Sequence, residues 1–190
     1  MPPCTSTAAD TSTDTDALLR FNHALLAQAL ALAALHEMPG SPPYARPVGA
    51  HLRHVVEHYE ALLLPKRSDV VDYDARQRDA ALERSPQLAR TRLLALQQHL
   101  AREDFDLEQP VCVRGLAGLA GEFAFALPST IGRELVFVAS HAVHHYALLA
   151  PYLREQGLPM PDASFGVASA TAAHARSLSA TTTHPVLETA

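Results

Sequence analysis

The chain is poor in cysteine and has no tryptophan: two Cys and no Trp among 190 residues. Cys4 lies in a Ser/Thr-rich stretch and Cys112 in a segment that reads as a loop or short strand, so neither a disulfide framework nor a cysteine-based zinc site is available. The absence of a disulfide framework suits a reducing, cytoplasmic setting. An excess of basic charge is also missing. Fifteen Lys and Arg are scattered among twenty Asp and Glu, for a net charge of −5, whereas a nucleic-acid surface needs clustered cations to neutralise phosphates. The first residues (MPPCTSTAADTSTDT) have neither a basic start nor an apolar core, which argues against a secretory signal, and no apolar run is expected to span a membrane. Gly-rich phosphate loops, a G-x-S-x-G elbow and a heptad seam are absent as well. What remains is a chain with 48% hydrophobic residues, enough for one globular domain with tails.

Residues 1–15 and 168–190 are rich in Ala, Ser and Thr without apolar periodicity and read as disordered tails around a domain at 16–167. Within that domain the periodicity predicts a first helix from Asp16 to about Met38, ended by Pro39-Gly40. The prolines of SPPYARP make a connector. A second helix is expected from about Val48 to Leu64, stopping at Pro65, with an apolar face that includes Leu52, Val55, Val56, Tyr59 and Leu62. The polar residues 66–84 read as a loop with a short helical stretch around Arg76 to Glu83. Ser85 as N-cap and Pro86 at the first helical position open a third helix, to about Glu103. Alternation around a Gly-rich centre between Asp106 and Leu127 suggests a two-stranded hairpin. The fourth helix is capped by Ser129 or Thr130, is kinked near Pro151 and ends at Gly157. Helices of this length bury their stripes best together, so the expected fold is all-α: a four-helix bundle with a small β-hairpin inserted before the last helix.

Two histidine clusters stand out, His51, His54 and His58 on the second helix and His141, His144 and His145 on the fourth. His54/His58 and His141/His145 are four residues apart, which puts each pair on one helix face. Imidazole is the common ligand of zinc, nickel, copper and iron, and three such ligands leave a coordination position open. Two ligands from one helix and one from the other would hold a divalent metal (zinc, nickel or iron), and spacing alone leaves open which three. His58 is a further ligand, a proton shuttle or an orienting group, and His51 has the same options from the turn before. His144 is rotated about 100° from His145 and reads as a non-ligand. Glu134, two turns before His141, is either an acceptor for a ligand's second ring N–H, a general base, or simply a favourable charge near the helix start. Asp72 and Asp74 read as solvated loop acids, and His23 and Asn22 as residues of helix 1 that can face the same cavity. Cys112 has no base partner in sequence that would make it a nucleophile.

These motifs resemble the DinB-like superfamily over roughly Asp16 to Leu158. LRH supplies His54 and HAVHH supplies His141 and His145, in the order and on the helices where that family places its three metal-binding histidines. The resemblance implies a four-helix bundle with a divalent metal, and an activity of the thiol-transferase, hydrolase or isomerase kind on a small molecule, such as a low-molecular-weight thiol. One departure is that many members carry His-Arg-Gly at the last ligand, where this chain has His145-Tyr146-Ala147. Two other readings stand beside the metal enzyme: a non-catalytic helical bundle that binds a small ligand or a protein partner, and a bundle holding haem between its helices. A homodimer is compatible with all three.

Overall fold

The computed structural model describes residues 8–64, 69–101 and 106–181. Pro65 and Glu103, expected to close two helices, lie outside these residues, as do 1–7 and 182–190 of the two expected tails. The described chain is mainly helical with one small sheet: α1 (Ala8–Leu35), α2 (Ala50–Leu63), β1 (Val70–Asp72), α3 (Ala80–Arg84), α4 (Pro86–Leu100), β2 (Pro110–Ala117), β3 (Phe123–Thr130), α5 (Ile131–Glu155) and α6 (Ser169–Thr181).

Each of the four long helices meets two others. α1 lies against α4 and α5, and α2 against the same pair. Each helix buries an apolar stripe, on α2 the expected one: Leu25, Leu26, Ala29, Leu32 and Ala33 from α1, Leu52, Val55, Val56, Tyr59 and Leu62 from α2, Leu93 and Leu96 from α4, and Leu135, Val138, Ala142, Tyr146 and Leu149 from α5 are all buried. Three buried polar side chains between the helices are paired, as burial generally requires. Tyr59 donates to Asn22 Oδ1 at 2.9 Å, Asn22 donates to the Leu18 carbonyl, and Tyr146 donates to the Leu25 carbonyl at 2.9 Å. α1 from Asp14 to Leu35 is also long and apolar enough to cross a membrane by length and composition, although in this fold its apolar stripe is spent on α4 and α5. The expectation that no run reaches that length is corrected here.

The caps follow the sequence. Ser85 Oγ accepts from Leu88 N and Thr130 Oγ1 from Arg133 N. At the end of α5, Gly157 takes φ +65°, its N–H reaches the Arg154 carbonyl and the Leu158 N–H reaches Leu153, the paired bonds of a Schellman stop. α5 continues through Pro151 to Glu155.

Four expectations are corrected. The sheet is not a lone hairpin before the last helix: β1 adds in parallel to β2 (Val70↔Cys112, Asp72↔Arg114), β2 pairs antiparallel with β3 (Val113↔Leu127), and α6 follows α5. A three-residue strand inside a polar stretch carries too few positions to show alternation. α1 starts at Ala8, within the expected tail, because neither Pro nor Gly interrupts 8–35. α6 lies in the other expected tail; it is built of Ala and other helix-tolerant residues but is almost wholly exposed, so no apolar stripe announced it. Finally, α2 begins at Ala50 and is preceded by one wide turn at Ala45–Gly49.

Gly49 in that turn has a steric rather than a conformational role. A Cβ there would lie 2.0 Å from the Glu83 carbonyl oxygen and 2.9 Å from the Tyr44 ring. Gly49→Ala must therefore push α2 away from α3. We expect the melting temperature to fall by roughly 3–12 °C, from an overpacking cost of about 1–3 kcal/mol at this chain length; an unchanged melting curve would refute the close approach.

Candidate metal centre

Five imidazoles form a continuous cluster between α2 and α5. The ring nitrogens of His54, His58 and His141 lie within 4.8 Å of one another. His145 continues the group: its Nε2 is 3.1 Å from His141 Nε2, and its ring centroid is 4.6 Å from that of His54. His51 closes the far end, its Nδ1 2.7 Å from His145 Nδ1. The histidines therefore make two overlapping triplets, His54/His141/His145 and His54/His58/His141. The family resemblance pointed to the first; the rings whose nitrogens converge are those of the second, and His145 packs beside His54 and His141 with ring centroids 4.6 Å from each. His144 is exposed on the outer side of α5, as its rotation from His145 requires.

The cluster is held neutral. Burial first, and the neighbouring imidazoles and Arg76 second, lower the pKa of His54 to about 3; burial lowers that of His58 to about 4, and burial with its histidine neighbours that of His145 to about 3. His51 and His141 are shifted down for the same leading reason, desolvation. Near neutral pH each ring thus offers a lone pair, the form in which imidazole binds a metal.

The hydrogen bonds assign roles to the rings. His58 Nδ1 is 2.7 Å from the His54 carbonyl, so that nitrogen carries the proton and Nε2 is the acceptor. For His145, contacts at both nitrogens, to His51 and to His141, make one a donor and the other an acceptor.

Arg76, which follows β1 on the loop to α3, enters the same cluster, a partner that sequence reading had assigned only to a short helix. Its Nη1 is 2.9 Å from His54 Nδ1 and 2.6 Å from His58 Nδ1. The second contact sets a donor against a donor, because His58 Nδ1 already serves the His54 carbonyl. Its Nε is buried with no acceptor among the described residues. A guanidinium thus occupies the place among the rings that suits a cation.

The loop that delivers Arg76 is firmly tied. Asp72 Oδ1 accepts from the N–H groups of Asp74 and Ala75, and Asp74 Oδ2 accepts from Leu116 N at 2.7 Å, so these acids shape the loop while Asp74 stays exposed, as expected of a loop acid. Further on, Glu57 accepts from Asp79 N, Arg53 pairs with Glu83, and Arg92 pairs with both Glu60 and Asp79.

Glu134 lies elsewhere than two turns along the ligand face implied. It is fully buried at the start of α5 and accepts from Tyr73 Oη (2.8 Å), Ser129 Oγ (2.6 Å) and Arg133 Nη1 (2.7 Å). Its link to the histidines runs through Tyr73, whose ring stacks on His58 at 5.4 Å. Burial, with Glu134 beside it, raises the Tyr73 pKa far above the ordinary value, so the phenol stays a donor. Phe137 stacks in the same way on His141 at 5.9 Å. His23 is exposed, and Asn22 is committed to Tyr59 in the core. Cys112 is a free, half-buried thiol in β2.

No family model matches the chain, and no solved structure matches it. Among curated proteins, FK506-binding protein 5 of Rhizopus delemar is 28% identical over 119 residues, a stretch covering 61% of this chain and 31% of the relative. The chain thus spans about a third of the length of that protein, a likeness too partial to assign a family.

Proposed function

We propose that the protein is a metal-dependent enzyme of the DinB-like type, a four-helix bundle in which His54 from α2 and His141 and His145 from α5 hold one divalent ion, zinc, nickel or iron. The observation that carries this reading is the convergence of neutral imidazoles from two helices. Two nitrogens each about 2.0–2.1 Å from a tetrahedral zinc are about 3.3 Å apart, and His141 and His145 present theirs at 3.1 Å. His51 beside His145 supplies the second-nitrogen partner that ligating histidines generally have.

A bound ion of this kind would lower the pKa of water or of a small thiol toward neutrality. The protein's own part is to keep the imidazoles deprotonated, to exclude water with the rings of Tyr73 and Phe137, and to hold His58 beside the site. With Nδ1–H anchored on the His54 carbonyl, His58 presents Nε2 as its acceptor, 3.1 Å from Arg76 Nη1, so it can take a proton from a reacting group only once that guanidinium moves away. Thiol transfer and hydrolysis are the reactions this arrangement suits, on a small molecule.

Elemental analysis of tag-free protein tests the reading. About one metal per chain is expected, lost in His54→Ala, His141→Ala and His145→Ala and retained in His58→Ala. Loss in His58→Ala with retention in His145→Ala would move the site to the other triplet. Absence of metal after incubation with zinc, nickel and iron would remove the metal reading altogether.

A second reading, a domain that binds a small ligand without catalysis, is favoured by the partial likeness to FK506-binding protein 5. Calorimetric titration with FK506 addresses it directly, and a flat titration would withdraw that support.

A further inference from the structure

Beyond the histidines, on the far side of Tyr73 and Phe137, lies a cavity of about 390 Å³ between the sheet and α5. Its floor is one face of the sheet, set by alternation: Val113 on β2 stands opposite Leu127 on β3, with Phe125 two residues away. Gly115, opposite Phe125, makes room for that ring, since a Cβ there would meet Phe125 at 2.9 Å. The other wall is the Tyr73–Phe137 pair, with centroids 5.2 Å apart. These are the two rings that stack on His58 and His141, so the cavity and the histidine cluster share a wall one ring thick.

The polar groups of the cavity are unequal. Glu134 is spent on three donors. Arg133 is not: one nitrogen reaches Glu134, its side chain is 65% exposed, and its guanidinium lies 5.7 Å from the Phe137 ring centre. A guanidinium carries five N–H donors in a planar fork that matches a carboxylate. The volume falls within the range of small-molecule sites, which are mainly apolar with a few placed polar groups.

We propose that this cavity binds a small aromatic carboxylate, its ring between Phe125, Leu127 and the Tyr73–Phe137 wall and its carboxylate on Arg133. The proposal goes beyond the metal reading and does not rest on it, because the Tyr73–Phe137 wall separates this cavity from the imidazoles and binding itself needs no metal. It places the apolar body of the ligand against the Tyr73–Phe137 wall with its charged end at the mouth.

The test is a calorimetric titration with 2-naphthoate and with its neutral analogue 2-naphthylmethanol, each on chelator-treated and on zinc-loaded protein. Saturable binding of 2-naphthoate is expected in both preparations. Arg133→Gln should weaken it roughly tenfold, the worth of one charge-assisted pair, while leaving the alcohol unchanged. Leu127→Glu, at a position exposed enough to spare the fold, should abolish binding of both compounds. The proposal is overturned by the absence of 2-naphthoate binding, by equal affinity in Arg133→Gln, by unchanged binding in Leu127→Glu, or by binding that appears only with zinc, which would put the carboxylate on the metal. A protein that holds no metal yet binds 2-naphthoate in this pattern would keep the cavity and discard the metal reading.

Discussion

Replacing Arg76 with glutamine is expected to raise zinc affinity by roughly tenfold to a hundredfold, measured by competition with a chromophoric chelator. The guanidinium nitrogen stands 2.9 Å from His54 Nδ1 and 2.6 Å from His58 Nδ1, so a divalent ion among the same rings would face a unit positive charge a few ångströms away. At 4 Å and an effective dielectric of 20, a double and a single charge repel by about 8 kcal/mol. That is an upper bound, because the side chain has somewhere to go: Glu57 and Asp74 both act on Arg76. The affinity lost is therefore the cost of moving the guanidinium, about 1.4–2.8 kcal/mol for the range stated. Glutamine keeps a donor for His54 Nδ1 while removing the charge. A lower affinity in Arg76→Gln would show that Arg76 positions the ligands rather than competes with the metal. His58→Ala separates the two cases further, since removing the donor-against-donor contact at His58 Nδ1 leaves the charge of Arg76 in place.

The long helices and their caps were largely written in the sequence because they depend on local rules. Leu52, Val55, Val56, Tyr59 and Leu62 repeat with helical period and are buried; Ser85, Thr130 and Gly157 are terminating residues whose preferences arise within a few residues of themselves. The histidine pairs were legible for the same reason, since spacing of four defines a face. What sequence could not supply is the approach of one face to another. His58 and His145 flank the shared pair His54 and His141 on opposite sides, and only the packing of α2 against α5 shows that both are in reach. Arg76 was missed because it comes from a polar loop whose course is decided by β1, a strand too short to read, and by the Asp74 bond to Leu116 N. Glu134 illustrates the opposite error. Seven residues before His141 is nearly the same face, yet the hairpin strand β3 folds back at Ser129 and, with Tyr73, captures the carboxylate first.

Glu134→Ala is expected to be among the most damaging single substitutions, lowering stability by about 2–4 kcal/mol and the melting temperature by roughly 5–15 °C at this chain length. The carboxylate joins three elements: Tyr73 after β1, Ser129 in β3 and Arg133 in α5. Its removal leaves the Tyr73 and Ser129 hydroxyls without their acceptor, and an orphaned buried donor costs more than a made bond contributes. The Arg133 pair adds little, because that side chain is largely exposed and screened. Tyr73→Phe removes one donor and should cost about 1 kcal/mol. Since both residues share one bond, the double variant should fall short of the sum by at least about 0.5 kcal/mol in a double-mutant cycle followed by denaturant titration. The same bond fixes the ring that stacks on His58 and walls the aromatic cavity. Glu134→Ala should therefore also weaken 2-naphthylmethanol, whose binding makes no use of the Arg133 charge, at a temperature where the fold remains intact, whereas a purely structural carboxylate would leave that affinity unmoved. Additive losses, or a melting temperature within about 2 °C of the parent, would show that solvent or a neighbouring group replaces the carboxylate and that Tyr73 is held by packing alone.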